Sequence, residues 1–472
     1  MRESYYDLLC ATLLGLGNLF MFMGYDSQLT IVEPVLRSVH DGSPYTIAAH
    51  AGYYGAAICN LFFFLTSLAA PCVLAMLGSK YTLLLGSALF TLHLLSFQYI
   101  HYLLYYGTSA TIGIGYALFY SGHGAYITEH STKATIERNS ALSWALATSC
   151  LIVGGVIVAL TANNPSDVTS DLANTPNATV TEGRSYRQYS EWEIRLVYGV
   201  FALFCVLSNA IFALVPTRNV TDSIAAGFKK RQDNFVEQIK RVGETFIDAR
   251  TLYITPLCCL LGFSTCFWVA AFPATLIFSK TLSGHIFLSA LYLVTLGSGE
   301  IIMGMIISFA SKRIKDFAQL PSLIIGSIMF LAAMVLALLS TPPEATYSPT
   351  DAPTPLLEPS PVIALVIALL LGMSDNSFNT ARTVICALII PGKIPELYSI
   401  SKFYQSLLST VVLFTAPFTS MPVHFGIISS LCLVSLFCYW RAVIKMRKED
   451  KKEKLENSES TDSVVTQADI VE

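Results

Sequence analysis

The sequence predicts an all-α membrane protein in which twelve transmembrane helices form two halves of six. Three observations predict it. Of its 472 residues, 53% are apolar and only 13% are charged, whereas a soluble globular chain carries roughly 25% charged residues. The apolar residues are gathered into runs near the ~20 residues that an α-helix needs to cross a ~30 Å hydrocarbon core. Backbone polar groups in lipid must be satisfied within the span itself, so these runs are helices rather than strands.

In the first half the runs lie near residues 8–31, 48–77, 81–104, 107–128, 139–161 and 194–215. In the second they lie near 252–278, 285–310, 320–340, 361–380, 399–420 and 423–444. The first run continues to about residue 23 without a small-residue cleavage site, so it reads as a span and not as a signal peptide. All eleven cysteines fall inside apolar runs, with no CxxC or Cys/His spacing. They read as small packing residues, with neither a disulfide framework nor a zinc site expected. A net charge of −3 is too small to point to nucleic acid.

Orientation follows from the cations, because cytoplasmic loops carry the excess of Lys and Arg. With both termini cytosolic, all 29 basic residues fall on the cytosolic side except Arg37, Arg184, Arg187, Arg195 and Lys280. A separate signal agrees. Asn177-Ala178-Thr179 is a glycosylation acceptor in the 162–193 loop, which this orientation places outside. Asn219-Val220-Thr221 falls inside and should be silent, and Asn164 is excluded by Pro165.

The expected domains are a six-helix half over 1–215, a cytosolic linker over 216–250, a second six-helix half over 251–444 and a disordered cytosolic tail over 445–472. In the linker, Ile224, Phe228, Phe235, Ile239, Val242 and Phe246 recur at helical spacing among Lys229, Lys230, Arg231, Lys240 and Arg241. That pattern predicts an amphipathic helix on the inner leaflet. The 341–360 loop holds six prolines and should be an irregular external linker.

Six spans, an amphipathic bridge and six more spans resemble the layout of the major facilitator superfamily. A faint repeat fits: Glu137, Ser140 and Trp144 open the fifth span as Glu396, Ser399 and Phe403 open the eleventh. Four segments carry a closer resemblance. They are Gly15-Leu16-Gly17-Asn18 leading to Gly24-Tyr25-Asp26-Ser27; the run from Ser121-Gly122-His123-Gly124 to Thr128-Glu129 with Glu137-Arg138-Asn139-Ser140 and Trp144; Gly297-Ser298-Gly299-Glu300; and Leu371-Gly372-Met373-Ser374-Asp375-Asn376 to Asn379. Together they resemble the uncoordinated-93 (ion channel regulatory protein) family. The resemblance implies a transporter-like fold in proteins that act as accessory subunits of potassium channels or as trafficking partners of membrane receptors. The superfamily's Gly-x-x-x-Asp-Arg-x-Gly-Arg-type loop after the second span is reduced here to Gly78-Ser79-Lys80. That departure argues against ordinary alternating-access transport.

Gly113-Ile114-Gly115 and Gly122-His123-Gly124 lie inside apolar helices. There they serve close helix packing and not a phosphate loop. With no Ser/His/Asp set and no metal-ligand spacing, neither an enzyme nor a cofactor or metal is expected. Ionisable residues within spans are the informative ones, since each costs roughly 2.5–3.5 kcal/mol at a helix centre and so turns to the bundle interior. Asp26 falls about 27 Å from the start of its span at 1.5 Å per residue, at the outer interface, where it is either a solvated end or a functional group. His123 reads as a structural histidine or a proton relay, and Glu129 with Arg138 as a cytosolic pair. Glu300 lies mid-span beside Gly297 and Gly299 with no nearby cation in its helix, and it either bonds to another helix or gates. Asp375, Asn379 and Arg382 follow the i, i+4, i+7 pattern and share one face, lining a cavity or merely holding the helix.

Two functions follow as expectations. The first is a non-enzymatic protein in the lipid bilayer that regulates or escorts another membrane protein, such as a potassium channel. The second is a cation- or proton-coupled transporter of a small solute, motivated by Glu300, Asp375 and His123.

Overall fold

A computed structural model describes residues 3–132, 135–161, 189–218, 220, 223, 235–285, 287–311, 313–314, 316–390 and 393–468. Asn177, the 162–188 part of its loop and most of the 216–234 linker segment lie outside these residues. Among the described residues the chain is helical, with a single isolated β-bridge between Ser279 and Thr350.

The first half comprises α1 (Glu3–Gly42), α2 (Ala51–Ser67), α3 (Ala70–Ser96), α4 (Tyr102–Glu129), α5 (Ile136–Thr161) and α6 (Glu191–Leu214). The helix α7 (Phe235–Ile247) leads into the second half. There α8 (Ala249–Cys266) runs through a π-helical turn, Phe267–Ala271, into α9 (Phe272–Phe278). After these come α10 (Leu288–Ser311), α11 (Leu320–Ser340), α12 (Pro361–Leu388), α13 (Ile394–Thr415) and α14 (Met421–Ala468).

Nine helices among the described residues are long and apolar enough to cross a membrane. The expected second, fourth and eleventh spans are helical but fall outside that set. The helix α2 has 17 residues, and α4 and α13 carry the polar side chains that turn inward, Tyr116, Tyr120, Lys402, Gln405 and Ser409 among them. The second span in fact runs on past α2 into the start of α3, which kinks at Gly78. Gly78 has φ +75°, a conformation only glycine adopts without strain. It separates the end of the second span from the third.

Helices of each half pack mainly on one another, and the halves meet where α2 lies along α13 and α5 along α10. At the end of the bundle away from the two termini the seam is closed. There α1 packs on the Phe267–Phe278 segment, and Tyr53 Oη donates to the carbonyl of Thr346, in the proline-rich loop. That loop is irregular, as expected, yet it is no slack linker: Thr346 and Ala345 are buried. Thr346 Oγ1 also donates to the Thr419 carbonyl, and Met421 N donates to that of Pro343.

Two expectations need correction. The first span was expected to end near residue 31, whereas α1 is 40 residues long and ends at Gly42. Its polar residues Ser27, Gln28 and Glu33 are buried inside the bundle, so they do not mark an exit from the membrane. The tail was expected to be disordered from 445, whereas α14 continues to Ala468. Its sequence places Asp450 four residues before Lys454, the spacing at which opposite charges support a helix.

Candidate functional site

A cavity of about 460 Å³ lies between the halves. Its walls reach from the middle of the bundle toward the end that holds the termini. Tyr120 near the end of α4, Trp144 near the start of α5, Thr383 and Val384 near the end of α12 and Tyr398 near the start of α13 all line it. Of the sequence candidates, the cavity gathers Asp26, Glu300, Asp375, Asn379 and Arg382. His123 is not among the lining residues. It is buried, with Nε2 3.3 Å from Ser143 Oγ and its ring beside Trp144.

Asp26 stands near the middle of α1 and not at the outer interface. Tyr116 Oη donates to its Oδ1 at 3.3 Å. Glu300 reaches the same cavity because α10 and α12 approach very closely at glycines. A Cβ at Gly372 would lie 2.0 Å from the Leu296 carbonyl oxygen, and one at Gly299 2.4 Å from that of Leu369. No side chain larger than hydrogen fits at either point. The two helices thus bring Glu300 and Asp375 to the same cavity as Asp26.

The α12 stripe is a relay of hydrogen bonds. Trp268 Nε1 donates to Asp375 Oδ1 at 3.1 Å, and Asn379 Nδ2 donates to Asp375 Oδ2 at 2.8 Å. Arg382 Nη2 donates to Asn379 Oδ1 at 2.9 Å. Aspartate and arginine are therefore not in contact; a carboxamide stands between them. Trp268 is presented by the π-helical turn, whose carbonyl at Trp268 accepts from Tyr292 Oη at 2.6 Å. Such turns widen the helix locally and recur at functional sites.

Lys402 is the site residue that the sequence reading missed. It sits in the third turn of α13, buried, and lines the cavity. Its Nζ lies 4.1 Å above the Tyr120 ring of the opposite half and donates to Gln405 Oε1 at 3.3 Å. Arg382 Nη1 donates to the same Gln405 oxygen at 2.6 Å, and its guanidinium lies over the Tyr398 ring at 5.6 Å. Two cations thus converge on one neutral acceptor. The signal available in the sequence was the Tyr398, Lys402, Gln405, Ser409 spacing, a polar stripe at helical period.

Glu129 accepts a hydrogen bond from Ser79 Oγ, next to the Gly78 kink, and its backbone carbonyl accepts from Val220 N. The side chain of its expected partner Arg138 lies outside the described residues. The helix α7 docks on α13 at the termini end: Arg241 Nη2 is 3.2 Å from Glu396 Oε1, and the Phe246 ring stacks on Tyr404 at 5.2 Å.

The family described as ion channel regulatory protein UNC-93 matches residues 43–440. Curated relatives include the UNC93-like protein MFSD11 of Xenopus laevis, 23% identical over 438 residues, covering 88% of this chain and 91% of that one. The Xenopus tropicalis protein of the same name is 23% identical over 440 residues with the same coverage. Among solved structures, the Escherichia coli fucose:proton symporter aligns with a TM-score of 0.59 at 13% identity, covering 93% of this chain and 99% of that one. The nucleoside transporter NupG aligns with a TM-score of 0.63 at 11% identity, covering 92% and 99%. These likenesses are those of a major facilitator fold.

Proposed function

Because the chain belongs to the UNC-93 family of ion channel regulatory proteins, we propose that it regulates or escorts another membrane protein, a potassium channel in particular, from a transporter-like scaffold. The observation that carries this reading is the extent of the family match, residues 43–440, which takes in every helix from α2 to α13 and the cavity residues Glu300, Asp375, Arg382 and Lys402. The short loop at Gly78 supports it. In place of a basic signature, Ser79 binds Glu129 through a neutral hydroxyl, which leaves Lys80 as the only cation in that loop. In this reading both termini are cytosolic, the cavity faces the cytosol, and Asn177 carries a glycan on the other side.

A second reading is favoured by the cavity itself. Ionisable residues inside a membrane bundle mark solute or ion pathways, and Asp26, Glu300, Asp375, Arg382 and Lys402 all line one space. That arrangement fits a coupled carrier of a small solute. Purification of the tagged chain in mild detergent, paired with uptake into proteoliposomes, separates the two. A stoichiometric channel partner without uptake is the expected result. Saturable uptake by the chain alone, with no channel co-purifying, reverses the order.

A further inference from the structure

We propose that the cavity is a binding site for a small zwitterion, with its anionic group on Arg382 and Lys402 and its ammonium group among Asp26, Glu300 and Asp375. This holds whether the chain regulates a channel or carries a solute.

The cationic pole is incomplete as it stands. Arg382 and Lys402 are 4% and 7% exposed. Among the described residues no ion pair involves either of them, and Arg382 Nε has no hydrogen-bond partner. Their shared acceptor is a neutral carboxamide oxygen. Two like charges drawn to one uncharged atom in a buried setting repel each other and leave donors unused. A carboxylate or phosphate between them would take up those donors in charge-assisted bonds.

The opposite pole has the complementary deficit. Glu300 is 7% exposed, lines the cavity, and has no hydrogen-bond or ion-pair partner among the described residues. Among the described residues Asp26 accepts only from Tyr116, across 3.3 Å. Trp268, Tyr25, Tyr116 and Phe22 stand beside these carboxyls, and aromatic faces attract an ammonium group as well. The Asn379 bridge holds the two poles apart. The ligand must therefore carry its charges at two ends and not on adjacent atoms. A purely anionic or purely cationic ligand would satisfy one pole and be repelled by the other.

The full chain, purified in detergent and monodisperse, is tested by its thermal midpoint with γ-aminobutyrate and phosphocholine, and with butyrate and n-butylamine as single-charge halves. A shift with either zwitterion, exceeding that of both halves, is expected. Which one acts tells a free amino acid from a lipid headgroup. Lys402→Gln should weaken the zwitterion about tenfold, the loss of one charged hydrogen bond, while Lys402→Arg should retain it. A shift from butyrate or n-butylamine equal to that of the zwitterions, or none from either zwitterion, overturns the proposal. Those outcomes are read on the unmodified chain, so the test stands even if Lys402→Gln fails to fold.

Discussion

Asn379 is the smallest unit on which the site turns. Among the described residues its side chain is the one link from Asp375 to Arg382, donating to the Asp375 carboxylate and backbone carbonyl and accepting from Arg382. Replacing it by leucine keeps the branched shape and removes these bonds, two of them to charged partners. The expected cost is about 3 kcal/mol, read as a lowered thermal midpoint of the purified protein. An unchanged midpoint would remove the bridge from the account. This residue was legible in the sequence, because a carboxylate, an amide and a guanidinium at i, i+4 and i+7 can only share a face. Lys402 was not. A lysine three residues inside the expected start of a span at 399 reads as a headgroup anchor, and only the longer helix from Ile394 carries it into the bundle. Trp268, Tyr116 and Tyr120 were also silent, since aromatic residues are ordinary filling for membrane helices. Asp26 was misplaced because a span ending near residue 31 puts it at the outer interface, whereas α1 runs on to Gly42 and leaves it near the middle of the helix.

At the scale of elements, α7 divides its apolar residues between two surroundings. Phe246 is taken up by Phe403 and Tyr404 of α13, whereas Val236 and Ile247 are exposed. We propose that the exposed pair meets the membrane surface, where each nearby cation contributes about 1 kcal/mol on anionic lipid. A peptide covering 216–250 should become helical on anionic vesicles and lose that helicity as salt rises. No gain on those vesicles would refute the leaflet contact. Its helical period was readable in the sequence, but the docking of Phe246 was not, because nothing local distinguishes a ring that meets lipid from one that meets Tyr404. The proline-rich loop posed the same difficulty. Composition correctly excluded regular structure there, yet it could not reveal that Thr346 would be buried between the halves.

For the whole molecule, the helical membrane class was legible from the length of the apolar runs, and the seam between α2 and α13 was not, because it depends on which helix faces cross. Orientation is the global property most directly open to experiment. Asn177 is expected to carry the only N-glycan, so Asn177→Gln should abolish any endoglycosidase-sensitive mobility shift. A glycan that persists, or one at Asn219, would invert the topology. The Tyr53 to Thr346 bond at the closed end has a consequence for the time course of synthesis. Its partners are 293 residues apart, so the tyrosine hydroxyl and the faces of α2 and α5 emerge long before anything exists to cover them. At about 5–20 residues per second, the first half must wait on the order of 15–60 s beside the ribosome with its seam bare. During that interval the newborn half-bundle is the form of this protein that a membrane chaperone would meet.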